Sequence, residues 1–239
     1  MKWILLPGFD GTGKLFAPLL RALPPGIEAP VVAYPADRQT SADELVEIVL
    51  GSLPTAEPYL LLAESFSGPI GLKAASLHQN LPAAIVLCGS FVRCPFQRNL
   101  VPVFSPWAAG LARIRPPRWI VRRYLLAGAK EELVELFYSA MAGVSPQVLA
   151  NRFSSFSEFD DHFAPPGLKI PMLYLQAVDD RLVTAQDFRF ARERYPQLKL
   201  ATIKSPHLIL QVHPEASIAA ITEFCLTTEV RKFLARSEI

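Results

Sequence analysis

The sequence predicts an α/β fold, a doubly wound and mostly parallel sheet of about six strands that carries a small helical insertion. Three observations predict it. Short apolar runs alternate with longer amphipathic stretches. The runs are continuous in apolar character, as in strands covered on both faces. One stretch, residues 91–167, breaks the rhythm and holds no convincing strand.

The strand candidates, in chain order, are residues 3–6, 30–34, 59–63, 84–88, 172–176 and 198–203. Helix-like segments separate them at 14–23, 42–53, 69–77, 185–195 and 214–224. Ser41, with Glu44 three residues on, reads as a capping box opening the second of these helices. A core of residues 1–90 and 168–239 follows, with a helical cap at 91–167 rich in aromatics, proline and arginine.

The chain has 239 residues, 51% hydrophobic and 19% charged, which fits one folded domain with a large core. A net charge of only +2 gives no global sign of nucleic-acid binding. Cys88, Cys94 and Cys225 are odd in number and lack metal-ligand spacing, so no metal is expected and a reducing compartment fits. The apolar run after Met1 ends at Pro7, too short for a signal peptide. No stretch reaches membrane-spanning length without charge or proline. The expectation is a soluble, cytoplasmic protein with no stable membrane insertion.

The chemistry concentrates where strands end. The run Leu60-Leu61-Leu62-Ala63-Glu64-Ser65-Phe66-Ser67-Gly68-Pro69 is an apolar strand, a serine and the start of a helix. A serine presented at a sharp strand-to-helix turn has a strained backbone, and its neighbours must be small. Ala63, Ser67 and Gly68 meet that demand around Ser65, whereas Ser67 as nucleophile would put Pro69 where a small residue is needed. An ordinary turn with two serines is the plain alternative. A nucleophilic serine needs a base and an orienting acid. The strand 172–176 leads into Asp179-Asp180, and the strand 198–203 leads into Pro206-His207. Each alone reads equally well as a solvated turn or a surface histidine. Their order along the chain, each just past a strand, joins them into one site. His78, His162 and His213 fit worse, beside a polar turn, in the irregular insertion and at a helix start.

The first strand is followed by Pro7-Gly8-Phe9-Asp10-Gly11-Thr12-Gly13. Gly8 and Gly11 give the backbone freedom for a loop that aims N–H groups at a developing oxyanion, with Phe9 and Phe66 as the donors. A dinucleotide or phosphate loop is the rival. The spacing is G-x-x-G-x-G, no Gly-Lys-Ser/Thr follows, and the second strand ends Tyr34-Pro35 without a ribose-binding acid.

On these motifs the sequence resembles the α/β-hydrolase superfamily over nearly the whole chain. Asp180-Arg181-Leu182-Val183 is similar to its D-x-x-V acid loop, which selects Asp180 over Asp179, and Pro206-His207 before His213-Pro214-Glu215 is similar to its histidine loop. Ala63 and Pro206 stand where glycines are usual, and Pro7 where histidine is common. A serine at the elbow argues against dehalogenases and epoxide hydrolases. The resemblance implies a small-cap carboxylesterase or thioesterase: Ser65 as nucleophile, His207 as base, Asp180 as acid, an acyl-enzyme, and no metal or organic cofactor. Acyl transfer or a lyase reaction on the same triad, and ligand binding without catalysis, are the alternatives. The expected partner is a small ester or acyl substrate. The cap adds a second expectation, because Arg93 to Lys130 holds eight basic residues and no Asp or Glu. Such a rim would attract a carboxylated acyl group or an acidic acyl carrier.

Overall fold

The structure is a computed structural model that describes residues 1–94, 116–227 and 230. Five strands, β1 (Lys2–Leu6), β2 (Tyr59–Glu64), β3 (Ala84–Cys88), β4 (Met172–Ala177) and β5 (Leu198–Ile203), form one parallel sheet in that order. β2 and β3 are wholly buried, as the continuous apolar runs Tyr59–Ala63 and Ala84–Cys88 require.

The expected sixth strand, at 30–34, does not form. It makes a single parallel bridge, Val31 with Leu5, on the outer edge of β1. There the Leu5 N–H donates to the Pro30 carbonyl at 3.0 Å and the Val32 N–H to the Leu5 carbonyl at 2.9 Å. Prolines block the next rungs. Pro30 has no N–H to give the Trp3 carbonyl, and Pro7 has none to give Val32. The Tyr34 N–H turns instead to the Gly11 carbonyl, 2.8 Å away. β5 also departs from the expectation of a covered strand. It is the far edge, with Lys199, Leu200 and Thr202 exposed.

Alternate residues of the sheet feed two cores, which makes a three-layer sandwich. Ile4, Leu6, Leu61, Ala63, Ile85 and Leu87 face α2 (Ala42–Leu50), α3 (Ser67–Leu77) and α6 (Ala185–Arg194). Trp3, Leu5, Leu60, Leu62, Val86 and Cys88 face α1 (Ala17–Ala22) and α7 (Pro214–Cys225). The capping box at Ser41 and Glu44 is formed. The 14–23 segment opens as a short 3-10 turn at Lys14–Phe16 before α1.

Between β3 and β4, the described residues 116–167 hold helices and no strand. α4 (Glu131–Ala142) and α5 (Pro146–Ser155) are the longest, and a π-helical turn spans Val121–Leu125. This insertion is not separate from the core. Its Phe156, Phe159 and Phe163 join the sheet's own hydrophobic cluster, and the Leu125 carbonyl accepts the Leu208 N–H at 3.2 Å. No single described helix is long and apolar enough to cross a membrane.

The segment at 28–34 lies outside β1, and the chain then crosses back to place β2 on the other side. The loops after β1 and β2 therefore diverge at a topological switch point, where open α/β sheets leave a crevice.

Candidate active site

β2 ends in Glu64, Ser65 follows, and α3 begins at Ser67. Ser65 has a φ of +47°, the one non-glycine residue with a left-handed backbone among those described. Such a residue costs about 1–3 kcal/mol and persists only where its surroundings impose it. Here its N–H donates to the Cys88 carbonyl at 3.0 Å, and its carbonyl accepts the Ser90 hydroxyl at 2.5 Å and the Gly68 N–H at 3.2 Å. Gly68 must be glycine, because a Cβ there would lie 2.0 Å from Ser90 Oγ and 2.6 Å from the Phe91 carbonyl oxygen. Ala63 is small because α3 crosses it at Gly71, where an added Cβ would come within 3.2 Å of the Ala63 methyl.

His207 lies just after β5, with Nε2 at 3.1 Å from Ser65 Oγ and Nδ1 at 2.7 Å from Asp180 Oδ2. The carboxylate accepts the Nδ1 proton, so Nε2 is left to accept from the serine hydroxyl. Burial disfavours the charged imidazole, but the hydrogen bond and charge of Asp180, helped by Glu64, outweigh it and raise the His207 pKa. Asp180 Oδ1 accepts the N–H groups of Leu182 and Val183 at 2.8 and 3.0 Å. Asp179 is exposed, and its N–H donates to the Ser205 carbonyl at 3.1 Å, which straps the acid loop to the histidine loop. Order along the chain, the small neighbours of Ser65 and the D-x-x-V resemblance pointed to these three side chains, and the fold brings them into one line.

The loop after β1 meets the elbow directly. The Phe9 and Phe66 rings touch edge to face at 5.9 Å. Among the described residues, neither the Phe9 nor the Phe66 N–H donates to a protein acceptor. Phe66 also stands at the N-terminus of α3, where helix dipoles favour negative charge. Ser67 does more than stay small. Its hydroxyl donates to the Pro7 carbonyl and accepts from the Tyr34 hydroxyl at 2.6 Å, pinning the loop to the helix. Gly11 has a φ of +68°. Gly8 departs from expectation: its backbone is not left-handed, and an added Cβ would meet only Glu64, at an ordinary 3.6 Å.

Three polar groups around this loop escaped the sequence reading. Glu64 is buried against Gln211, whose Nε2 donates to Glu64 Oε1 at 2.9 Å. Burial lifts the Glu64 pKa to about 7. Its signal was a carboxylate at the end of a wholly apolar strand. Arg152 of α5 is buried and donates to carbonyls of the loop after β1. Its signal was its place among Val148, Leu149 and Ser155, the buried face of an amphipathic helix. Tyr34 gave none, since only the fold brings it to Ser67.

No family model matches the chain, and no curated protein matches it. Solved structures do. A thermophilic esterase from Thermogutta terrifontis aligns with a TM-score of 0.79 at 17% identity, over 98% of this chain and 90% of that one. The enol-lactonase from Burkholderia xenovorans LB400 aligns with a TM-score of 0.76 at 16% identity, over 95% and 91%. An esterase from Exiguobacterium antarcticum aligns with a TM-score of 0.76 at 14% identity, over 95% and 92%. At such identities the likeness is one of fold.

Proposed function

We propose that this chain, which has the α/β-hydrolase fold, is a serine hydrolase that cleaves a carboxylic ester or thioester through an acyl-enzyme on Ser65. One observation carries the reading: a serine on a strained elbow, in hydrogen-bond reach of a histidine whose other nitrogen is held by a buried carboxylate. The esterases and the lactonase among its structural neighbours are consistent with it.

The mechanism follows from the roles. His207 Nε2 takes the Ser65 proton as Oγ attacks the acyl carbonyl. Asp180 keeps the proton on Nδ1 and stabilises the imidazolium that forms. The N–H groups of Phe9 and Phe66 receive the oxyanion, a charge absent from the ground state, so their effect falls on kcat. His207 then protonates the leaving alcohol or thiol, activates a water and releases the acid. The scheme uses only these side chains, the two backbone N–H groups, the substrate and water, so it calls for no metal or organic cofactor. The substrate is a small ester or acyl compound, and the insertion at 91–167 serves as the cap over it.

Exposure to a fluorophosphonate probe, with turnover of short-chain nitrophenyl esters, tests the reading. The parent should label and turn over. Ser65→Ala should do neither, and Ser67→Ala should still label. Asp180→Asn should lose about 10⁴ in kcat, while Asp179→Asn should change it little. Labelling of Ser65→Ala equal to the parent's would end the proposal.

A further inference from the structure

Arg152 is 0% exposed, yet its charge has no buried carboxylate in direct contact among the described residues. Its Nη1 donates to the Phe9 carbonyl at 3.1 Å and to the Asp10 carbonyl, and Nη2 donates to the Pro35 carbonyl at 2.7 Å. The guanidinium lies against Gly11 so closely that a Cβ there would sit 2.5 Å from Nη1 and 2.6 Å from Cζ. The Tyr34 ring is 5.8 Å from Cζ, and the Asp10 carboxylate lends its charge from the same loop.

Burying a guanidinium costs several kcal/mol, and an apolar side chain would seat α5 without that cost. What only arginine supplies is a rigid plane of donors. Here the plane is used on two consecutive carbonyls of the loop after β1. Three further carbonyls of that loop are also held. Pro7 accepts from Ser67 Oγ, Gly8 accepts from the Gly11 N–H at 3.0 Å, and Gly11 accepts from the Tyr34 N–H at 2.8 Å. Five consecutive carbonyls are thus turned into the protein, and the Phe9 N–H is left unclaimed. The Phe9 N–H shares its peptide plane with the Gly8 carbonyl, and the Gly11 N–H that holds this carbonyl shares its plane with the Asp10 carbonyl. Freed of Arg152, the Asp10–Gly11 peptide can rotate, release Gly8 and let the Phe9 N–H swing out of line.

We propose that Arg152 is a positioning residue of the oxyanion hole, reaching from the insertion to hold the Phe9 and Asp10 carbonyls so that the Phe9 N–H stays aimed at the acyl oxygen. The proposal rests on the reading of Ser65 as a hydrolase nucleophile. Arg152 touches no reacting atom. Its effect passes through the loop, and through it the seating of the insertion governs the hole.

The test compares the parent, Arg152→Met and Arg152→Lys on a nitrophenyl ester, with kcat expressed per site titrated by a fluorophosphonate. Counting only labelled sites removes any loss due to a smaller folded fraction. Arg152→Met should lose on the order of 10²-fold in kcat per site with KM nearly unchanged, as for a lost oxyanion donor. Affinity for an alkylboronic acid, whose adduct places an oxygen in the hole, should fall in step. Arg152→Lys keeps the charge without the fork and should recover only part of kcat. If Arg152→Met does not fold, the Lys variant decides by the same measures. A variant with parental kcat per site overturns the proposal, as does failure of both variants to fold, which would make Arg152 a fold determinant only. A parent that neither labels nor turns over overturns the hydrolase reading and this proposal with it. A parent that does both beside an unimpaired Arg152→Met overturns this proposal alone.

Discussion

Glu64 is a carboxyl held directly before the candidate nucleophile, where burial pushes its pKa to about 7 against the pull of Gln211. Asp10 across the loop pushes it further up, while His207 and the Gly8 N–H draw it down. The folded pKa is above the ordinary 4.5, so the proton is held more tightly in the folded state. Stability linked to this group is therefore complete below about pH 4.5 and lost as the pH rises through about 7. The span corresponds to roughly 3 kcal/mol as an upper bound. Glu64→Gln removes the titration. Denaturation between about pH 4.5 and 8 should show the variant gaining on the parent as the pH rises. Parallel curves would contradict the assignment. The charged Glu64 also helps raise the His207 pKa. The acid limb of kcat/KM should accordingly move to lower pH in Glu64→Gln.

At the scale of elements, the site depends on how closely α3 lies on the segment that follows β3. The helix begins at Ser67, and Gly68 lets it approach Ser90 and Phe91 at distances no side chain could share. Ser90 in turn donates to the Ser65 carbonyl, so this contact imposes the strained backbone of the elbow. Gly68→Ala should force the helix off Ser90 and Phe91 and cost about 1–3 kcal/mol, a fall in Tm of roughly 3–10 °C. It should also lower kcat, because Ser65 moves with the helix. Gly8→Ala meets only an ordinary contact and should leave Tm within about 2 °C of the parent. Thermal denaturation of the two variants side by side separates crowding from loop chemistry. Equal shifts would mean that α3 has room to adjust.

Across the whole molecule, five residues of the basic run from Arg93 to Lys130 are described, and three of them are answered by acids from elsewhere in the chain. Arg93 pairs with Asp161 at 3.4 Å, Arg118 with Glu135 at 2.8 Å and with Glu131, and Arg122 with Glu131. Arg98, Arg113 and Arg115 lie outside the described residues. Arg123 is exposed and has no ion pair among the described residues, its nearest ring being Tyr124. If the rim draws an anionic acyl group or an acidic carrier, Arg123 is the place to ask. Raising salt from about 0.1 M to about 1 M shortens the Debye length from ~10 to ~3 Å. kcat/KM for an anionic acyl ester should then fall, while a neutral ester is unaffected. Arg123→Glu should lower kcat/KM for the anionic ester and weaken its salt response. The same salt response in parent and variant would reduce the run to a solvated, internally paired surface.

The sequence by itself determined the sheet and the line of catalytic candidates. Continuous apolar runs fit covered strands, as β1 to β4 are, and chemistry in such sheets gathers just past their ends. Ser65, the Asp179-Asp180 pair and His207 were therefore legible from local pattern and order, with the D-x-x-V resemblance choosing Asp180. The failed strand at 30–34 was legible too in principle, since Pro7 and Pro30 each delete a ladder donor, but only once its partner strand was known. Tertiary structure alone decided what holds the oxyanion loop. Arg152 and Ser67 reach carbonyls at residues 7–10, and Tyr34 reaches Ser67, through contacts between segments far apart in the chain. Periodicity reports which face of a helix is buried. It carries no record of which distant backbone carbonyl that face will meet, because that is settled by how the layers pack.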